Sequence, residues 1–305
     1  MANPHVLYAV QITGGALLDQ VSDWNYGAAI RQMLLGGDGG VDAKFTAVGM
    51  QEPTLSFSTS AIATVLGACG ISGLKIATAN AVIAWMQQTD EGGTRKSGSD
   101  HVKFTMNEGI LVPRRISAST DGNTPAIITL DAIATYDGTN APFVLAASQA
   151  LAGSPGLDEV FVAGPVSVNG SSLGMVQNIE IDFGLDVRTL AGDGHVWPKY
   201  CHIANRRPSI RVTVLDPTIL TTLGLSGAAQ STTDSVIYLR KVAEGGTRVA
   251  DGTSEHISFT VDEGHMQVSD IRGSQGEHLV ADLLITPTYD GQNDILVIDT
   301  TAAIS

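Results

Sequence analysis

Two acid–histidine pairs, Asp100-His101 and Glu255-His256, stand in matching surroundings, each followed by a second carboxylate, Glu108 or Glu263. A carboxylate beside an imidazole is an elementary unit of acid–base catalysis and of metal ligation. In HVKFTM, however, His101 shares one face of an alternating strand with Lys103 and Thr105, the pattern of a solvated face. The spacing brings in no ligand from another element. Gly93–Gly98 imitates a phosphate-binding loop, but Ser99 stands where its lysine must be, and no buried strand and long helix flank it. HExxH and paired-cysteine motifs are absent from the sequence. Cys69 and Cys201 belong to no CxxC or Cys/His cluster and read as unpaired thiols. No catalytic, cofactor-binding or metal-binding residue is expected.

The two acid–histidine pairs match because the sequence around them is repeated. EGGTR followed by SDHVKFTMNEG (91–109) returns as EGGTR followed by SEHISFTVDEG (244–264). The echo extends outward. Tyr26-Gly27 matches Phe183-Gly184, Arg31 matches Arg188, Arg95 matches Arg248, and Leu66-Gly67 matches Leu223-Gly224. Thr135-Tyr136-Asp137-Gly138 with Asn140 matches Thr288-Tyr289-Asp290-Gly291 with Asn293. The separation between matched positions changes only in steps of two. Side chains of a strand alternate with period two, so even insertions keep the buried face buried. The repeat predicts a mainly β chain of two tandem homologous domains, 1–150 and 160–305, joined by a linker at 151–159.

Composition agrees with that outline. A chain of 305 residues allows about two domains of ~150 residues. Aromatic residues make up 5%, and no apolar run approaches the ~18 residues of a membrane span. No signal peptide is visible at the start, so no membrane insertion is expected. The net charge of −14, with no cluster of Lys and Arg, opposes nucleic-acid binding. It fits either simple solubility or a surface along which DNA slides, repelled within a Debye length of ~8 Å.

In chain order, HVLYAVQI (5–12) and FVAGPVSV (161–168) read as opening strands, and 36–50 as a glycine-rich connector. SAIATVLGACG (60–70) and DPTILTTLGLSG (216–227) each predict one short helix, the second capped by Asp216 with Pro217 at its first position. Strands follow at 81–88 and 235–242. After the repeated loop, 101–106 and 256–261 are strands expected to turn at Asn107-Glu108-Gly109 and Asp262-Glu263-Gly264 and return as hairpins. Asp137-Gly138 and Asp290-Gly291 predict a last hairpin in each half. Each half is therefore a β-sandwich or barrel-like domain with one flanking helix. Arg31, Arg188, Arg95 and Arg248 are candidates either for ion pairs within a domain or for contacts between subunits.

The organisation resembles the major tail tube proteins of long-tailed bacteriophages. The matching features are the size of each half, the helices at 61–67 and 217–224, the hairpins around 99–117 and 254–272, and the acidity. The resemblance implies a virion structural protein, not an enzyme, located in the virion tail and assembled in the host cytoplasm. Its rings, trimeric and pseudo-hexameric, would stack into a channel for DNA. The expected partners are other copies of the chain, other phage tail proteins and DNA that passes without specific binding. Candidate assembly contacts are the four arginines above with Asn107, Glu108, Gly109, Asp262, Glu263 and Gly264. An acidic lumen, which the resemblance implies, makes Asp100 and Glu255 candidates to line it, with Glu108 and Glu263 nearby. The rival readings are a DNA sliding clamp, a head–tail connector or capsid decoration protein, and a carbohydrate-binding or hydrolytic β-sandwich. A clamp needs basic helices around its hole, and the sugar-binding reading needs an aromatic platform or a carboxylate pair.

Overall fold

The computed structural model describes residues 5–305 except 13–14, 19, 37–40, 78–81, 90–93, 97, 99, 121–123, 154–155, 157–159, 216–219, 222, 225–229, 233 and 274–277. The chain is mainly β. The first half contains β1 (His5–Ile12), β2 (Ser22–Gly36), β3 (Ala43–Thr59), helix α1 (Ile62–Cys69), β4 (Leu74–Ile76), β5 (Val82–Gln88), β6 (His101–Met106), β7 (Glu108–Ser119), β8 (Ile127–Thr135) and β9 (Phe143–Gln149). The second contains β10 (Phe161–Val168), β11 (Ser171–Leu173), β12 (Val176–Asp182), β13 (Leu185–Leu190), β14 (Tyr200–Arg206), β15 (Ser209–Val214) and β16 (Gln230–Thr232). It ends with β17 (Ser235–Lys241), β18 (His256–Val261), β19 (Gly264–Arg272), β20 (Val280–Pro287) and β21 (Val297–Ala302).

Three of the four sheets form two layers. The large layer is a ten-stranded sheet ordered β16-β19-β20-β15-β12-β7-β8-β3-β2, with β4 beside β7. Two smaller sheets, β1-β5-β6-β9 and β11-β10-β17-β18-β21, pack against it. Burial alternates along the large sheet as a half-covered sheet requires. In β15, Ile210, Val212 and Val214 face the core, while Arg211 faces solvent. The buried residues of both halves join in one apolar cluster.

The strands of the two halves follow the same order, and their registers coincide. Crossing the large sheet in the first half meets Tyr26, Leu55, Ala132, Leu111 and Leu74 in turn. Crossing it in the second meets Ile181, Ile210, Ile285, Met266 and Gln230. Even the β-bulges recur, between Pro113 and Arg115 and between Val268 and Asp270. By position in the ladders Tyr26 corresponds to Ile181 rather than to Phe183, a shift of two residues from the sequence match that keeps the period of two.

Several expected hairpins are corners instead. β6 pairs with β5 and β9, whereas β7 pairs with β8, β4 and β12, so the chain changes sheets at Asn107. β18 and β19 are divided in the same way. Residues 101–119 and 127–149 thus form one bent ribbon, paired as β6–β9 in one layer and β7–β8 in the other. The Asp-Gly sequences lie on the outer side of that bend. Asp137 accepts the backbone N–H groups of Thr139 and Asn140 at 2.8 and 2.6 Å, and Asp290 those of Gln292 and Asn293, both at 2.8 Å. These are Asx turns between layers, not hairpin turns within a sheet.

The first expected helix is α1, which runs to Cys69 with Gly67 inside it; Gly70, at φ +52°, closes it. Ile62, Val65, Leu66 and Cys69 are its buried stripe. The second expected helix lies largely outside the described residues, although Leu220 and Thr221 within it are helical. The expected linker also lies partly outside them. The greatest departure is at 22–59. Of the connector expected at 36–50, residues 37–40 lie outside the described residues, and Gly36 and 43–50 instead belong to a long antiparallel arm, with strands of 15 and 17 residues. Met33, Leu34, Phe45 and Val48 stand exposed on its outer part.

Candidate functional site

Both histidines are buried, contrary to the solvated face expected of them. The Nδ1 of His256 accepts the Lys241 backbone N–H at 3.1 Å, and its Nε2 lies 3.0 Å from the Ala250 carbonyl, to which it donates. The ring is a neutral pin that fastens the repeated loop to the end of β17. Burial first, then the Arg95 guanidinium, lowers the His101 pKa from its ordinary value, which also favours the neutral ring. Among the described residues, no three His, Cys, Asp or Glu side chains gather as a metal would require.

The acidic candidates sit beside these histidines. Asp100 is exposed ahead of β6. Glu255 is exposed ahead of β18, where Lys241 holds it at 2.9 Å and lowers its pKa by that hydrogen bond and charge. Glu108 is half-buried and Glu263 exposed, each at a corner between layers. Asn107 is buried there, and Asp262 is half-buried. At the two glycines the neighbouring strand leaves no room for a Cβ. Gly109 has φ +141°, and a Cβ there would lie 2.1 Å from the Ile133 carbonyl oxygen. A Cβ on Gly264 would lie 2.6 Å from that of Thr286.

The four repeated arginines are surface residues with partners in the same chain. Arg31 lies 3.8 Å from Glu52, and Arg188 lies 3.1 Å from Asp186. Arg95 bridges Thr89, Arg248 bridges Val242, and the Arg248 guanidinium also donates to the Thr120 carbonyl at 3.3 Å. Cys69 is buried and Cys201 half-buried, and both are free thiols.

Two features escaped the sequence reading. The first is the outward face of the ten-stranded sheet, which carries a run of hydroxyls and paired charges across both halves. Ser56 donates to Asp131 at 2.6 Å, and Arg114 holds the same carboxylate at 2.7 Å. Arg115 holds Glu180 at 2.8 Å, and Arg272 holds Asp282 at 3.0 Å. Such ion pairs leave a polar wall on which Arg114, Arg115 and Arg272 are already held by carboxylates of the same wall. Alternating polar residues in β7, β12 and β15 were the available signal.

The second is the seam between the halves, where β7 and β12 pair from Arg115↔Asp182 to Ser119↔Asn178. Beside it the segment following β13 folds back onto the first half. Gln51 donates its backbone N–H to the Val196 carbonyl at 2.6 Å, and Tyr136 donates its own to Pro198 at 2.8 Å. The Tyr136 ring lies against His195 and Trp197, with centroids 5.0 and 5.5 Å away. Thr189 donates to the Glu52 carboxylate. This seam is built from both repeats and needs no residue outside the chain.

Neither the family models nor the curated proteins searched contain a match to this chain.

Proposed function

We propose that the chain is a structural subunit of a tube: a major tail tube protein in which two tube domains are fused. Three chains would form a pseudo-sixfold ring, and stacked rings a channel for DNA. The observation that carries the reading is the ten-stranded sheet, in which two sets of strands in the same order lie edge to edge behind one polar face. Repeating that edge-to-edge relation produces a curved wall with a hydrophilic side. The wall's function is passive. Arg114, Arg115 and Arg272 on the wall are matched to Asp131, Glu180 and Asp282, and the chain carries a net charge of −14, so the wall offers DNA few unpaired cations. The corner residues Glu108 and Glu263 would meet neighbouring rings, and the exposed arm formed by β2 and β3 would meet a neighbouring chain of the same ring.

Electron microscopy of the purified protein, with its mass measured in solution, tests the reading. Rings of three chains, alone or stacked, are the expected result. Closed rings that load onto duplex DNA would replace it with the clamp reading. A monomer at every concentration would overturn it.

A further inference from the structure

Each side of the seam between β7 and β12 has a counterpart in the other half that lacks such a partner among the described residues. β19 corresponds to β7 by its ladder with β20 and by its bulge, and β16 lies beside its start as β4 lies beside β7. Beyond Met266, its outer edge has no strand beside it among the described residues. β2 corresponds to β12 in the same way, and its outer edge is the other end of the large sheet. One free edge is therefore the repeat of the donor side of the seam, and the other the repeat of its acceptor side.

Burial follows the same logic. Across the internal seam Ile116 faces Ile181, and both are 0% exposed. Their counterparts, Ile271 on β19 and Tyr26 on β2, are 55% and 40% exposed. Tyr136 is covered by His195 and Trp197, whereas its repeat partner Tyr289 is 64% exposed. The hairpin formed by β13 and β14 rests on the first half through Gln51, Glu52 and Tyr136, and its counterpart, the outer part of β2 and β3, stands exposed with no such support among the described residues. Each surface that the seam buries once is thus found exposed in its second copy.

We infer that β2 of one chain pairs antiparallel with β19 of a second copy, reproducing the β7–β12 seam between chains. The transferred register places Tyr26 opposite Ile271 and Asn25 opposite Arg272. The exposed Asp23 lies near that guanidinium, and the arm of β2 and β3 comes to lie over Tyr289 of the neighbour. Paired strand edges satisfy backbone groups that an open edge leaves to water or to aggregation. The interface is head-to-tail, so copies add in one sense and close if the rotation permits. The inference deepens the ring reading by naming the surface through which copies meet, and depends on that reading only for closure.

The test is Tyr26→Cys with Ile271→Cys in one full-length chain, oxidised or bridged with a short thiol-reactive linker, with each single variant as control. Covalent multimers from the double variant but not from either single variant are expected. Rings or tubes seen by microscopy without such multimers would overturn the seam and leave the ring reading intact. Multimers that form only open chains would uphold the seam and overturn the ring. A monomer without cross-links would overturn both. In parallel, Ile271→Asp should reduce self-association at least tenfold with no change in the unfolding midpoint measured at dilutions where both proteins are monomeric, since Ile271 is exposed in the single chain. Unchanged association would overturn the seam.

Discussion

Ile116 on β7 and Ile181 on β12 face each other across the junction of the two halves, and neither is reached by solvent. The junction is thus part of the core and more than a contact between finished units. Truncating either residue leaves a hole that the surrounding strands cannot close. Ile181→Ala should lower stability by about 2–5 kcal/mol, measured by denaturant unfolding. Ile271→Ala in the monomer should change it by less than about 0.5 kcal/mol. Equal effects would mean that the seam does not contribute to the fold.

Gly109 combines a φ of +141° with backbone 2.1 Å from any added Cβ. Gly109→Ala must both strain its own backbone and push β7 from β8, at a cost of about 3 kcal/mol or more. Gly153→Ala, which meets nothing within 4 Å, is the control and should be neutral. Thermal unfolding of the two variants decides, and a soluble Gly109→Ala with the parent midpoint would refute the corner geometry.

The Asx turns make a prediction about acid. Hydrogen bonds from the side chain and then the backbone of Asn140 lower the Asp137 pKa below its ordinary 3.8. Backbone N–H groups of Gln292 and Asn293 lower that of Asp290 in the same sense. A depressed carboxyl favours the folded state above its unfolded pKa, and that contribution is lost as pH falls through the folded value. Carboxyl titration by NMR should place both midpoints below 3.8, and Asp290→Asn should remove the acid-dependent loss of order around 288–294. A midpoint at or above 3.8 would contradict the turn.

Burial pushes the Cys69 thiol up to about 12 and, aided by the Glu108 carboxylate, the Cys201 thiol up to about 11. Thiolate is the reactive form, so at pH 8 neither should react appreciably with a colorimetric disulfide reagent in the folded chain. Both should react after denaturation. Rapid labelling of Cys69 without denaturant would show that the buried stripe of α1 is not packed into the core.

The strands were easier to read than their partners. β1, β10, β5 and β17 fall where the sequence placed strands, and Phe104 and Met106, on the other side of HVKFTM from Lys103, are buried. Asn107 misled because a strand that passes from one layer to the next keeps its alternation, and nothing local tells a corner from a hairpin turn. The Asp137 and Asp290 turns misled for the same reason, since an Asx turn has the same Asp-Gly whether it reverses a strand or bridges two sheets. His101 and His256 are buried although they share a polar face, because the loop that follows β17 covers His256 and supplies its partners. The arm formed by β2 and β3 has no buried side along its outer part, so its apolar residues follow no inward period. The polar wall was visible only strand by strand, because its continuity depends on the pairing of β7 with β12, which joins positions far apart in the chain.

Joining the two seam surfaces in one polypeptide also changes how the protein responds to dilution. The β7–β12 contact is intramolecular, so its strength is set by the tether and is independent of the amount of protein in solution. Contacts between separate chains obey mass action. Dilution would therefore release whole chains with their internal junction intact, and the smallest species present would already contain one completed joint.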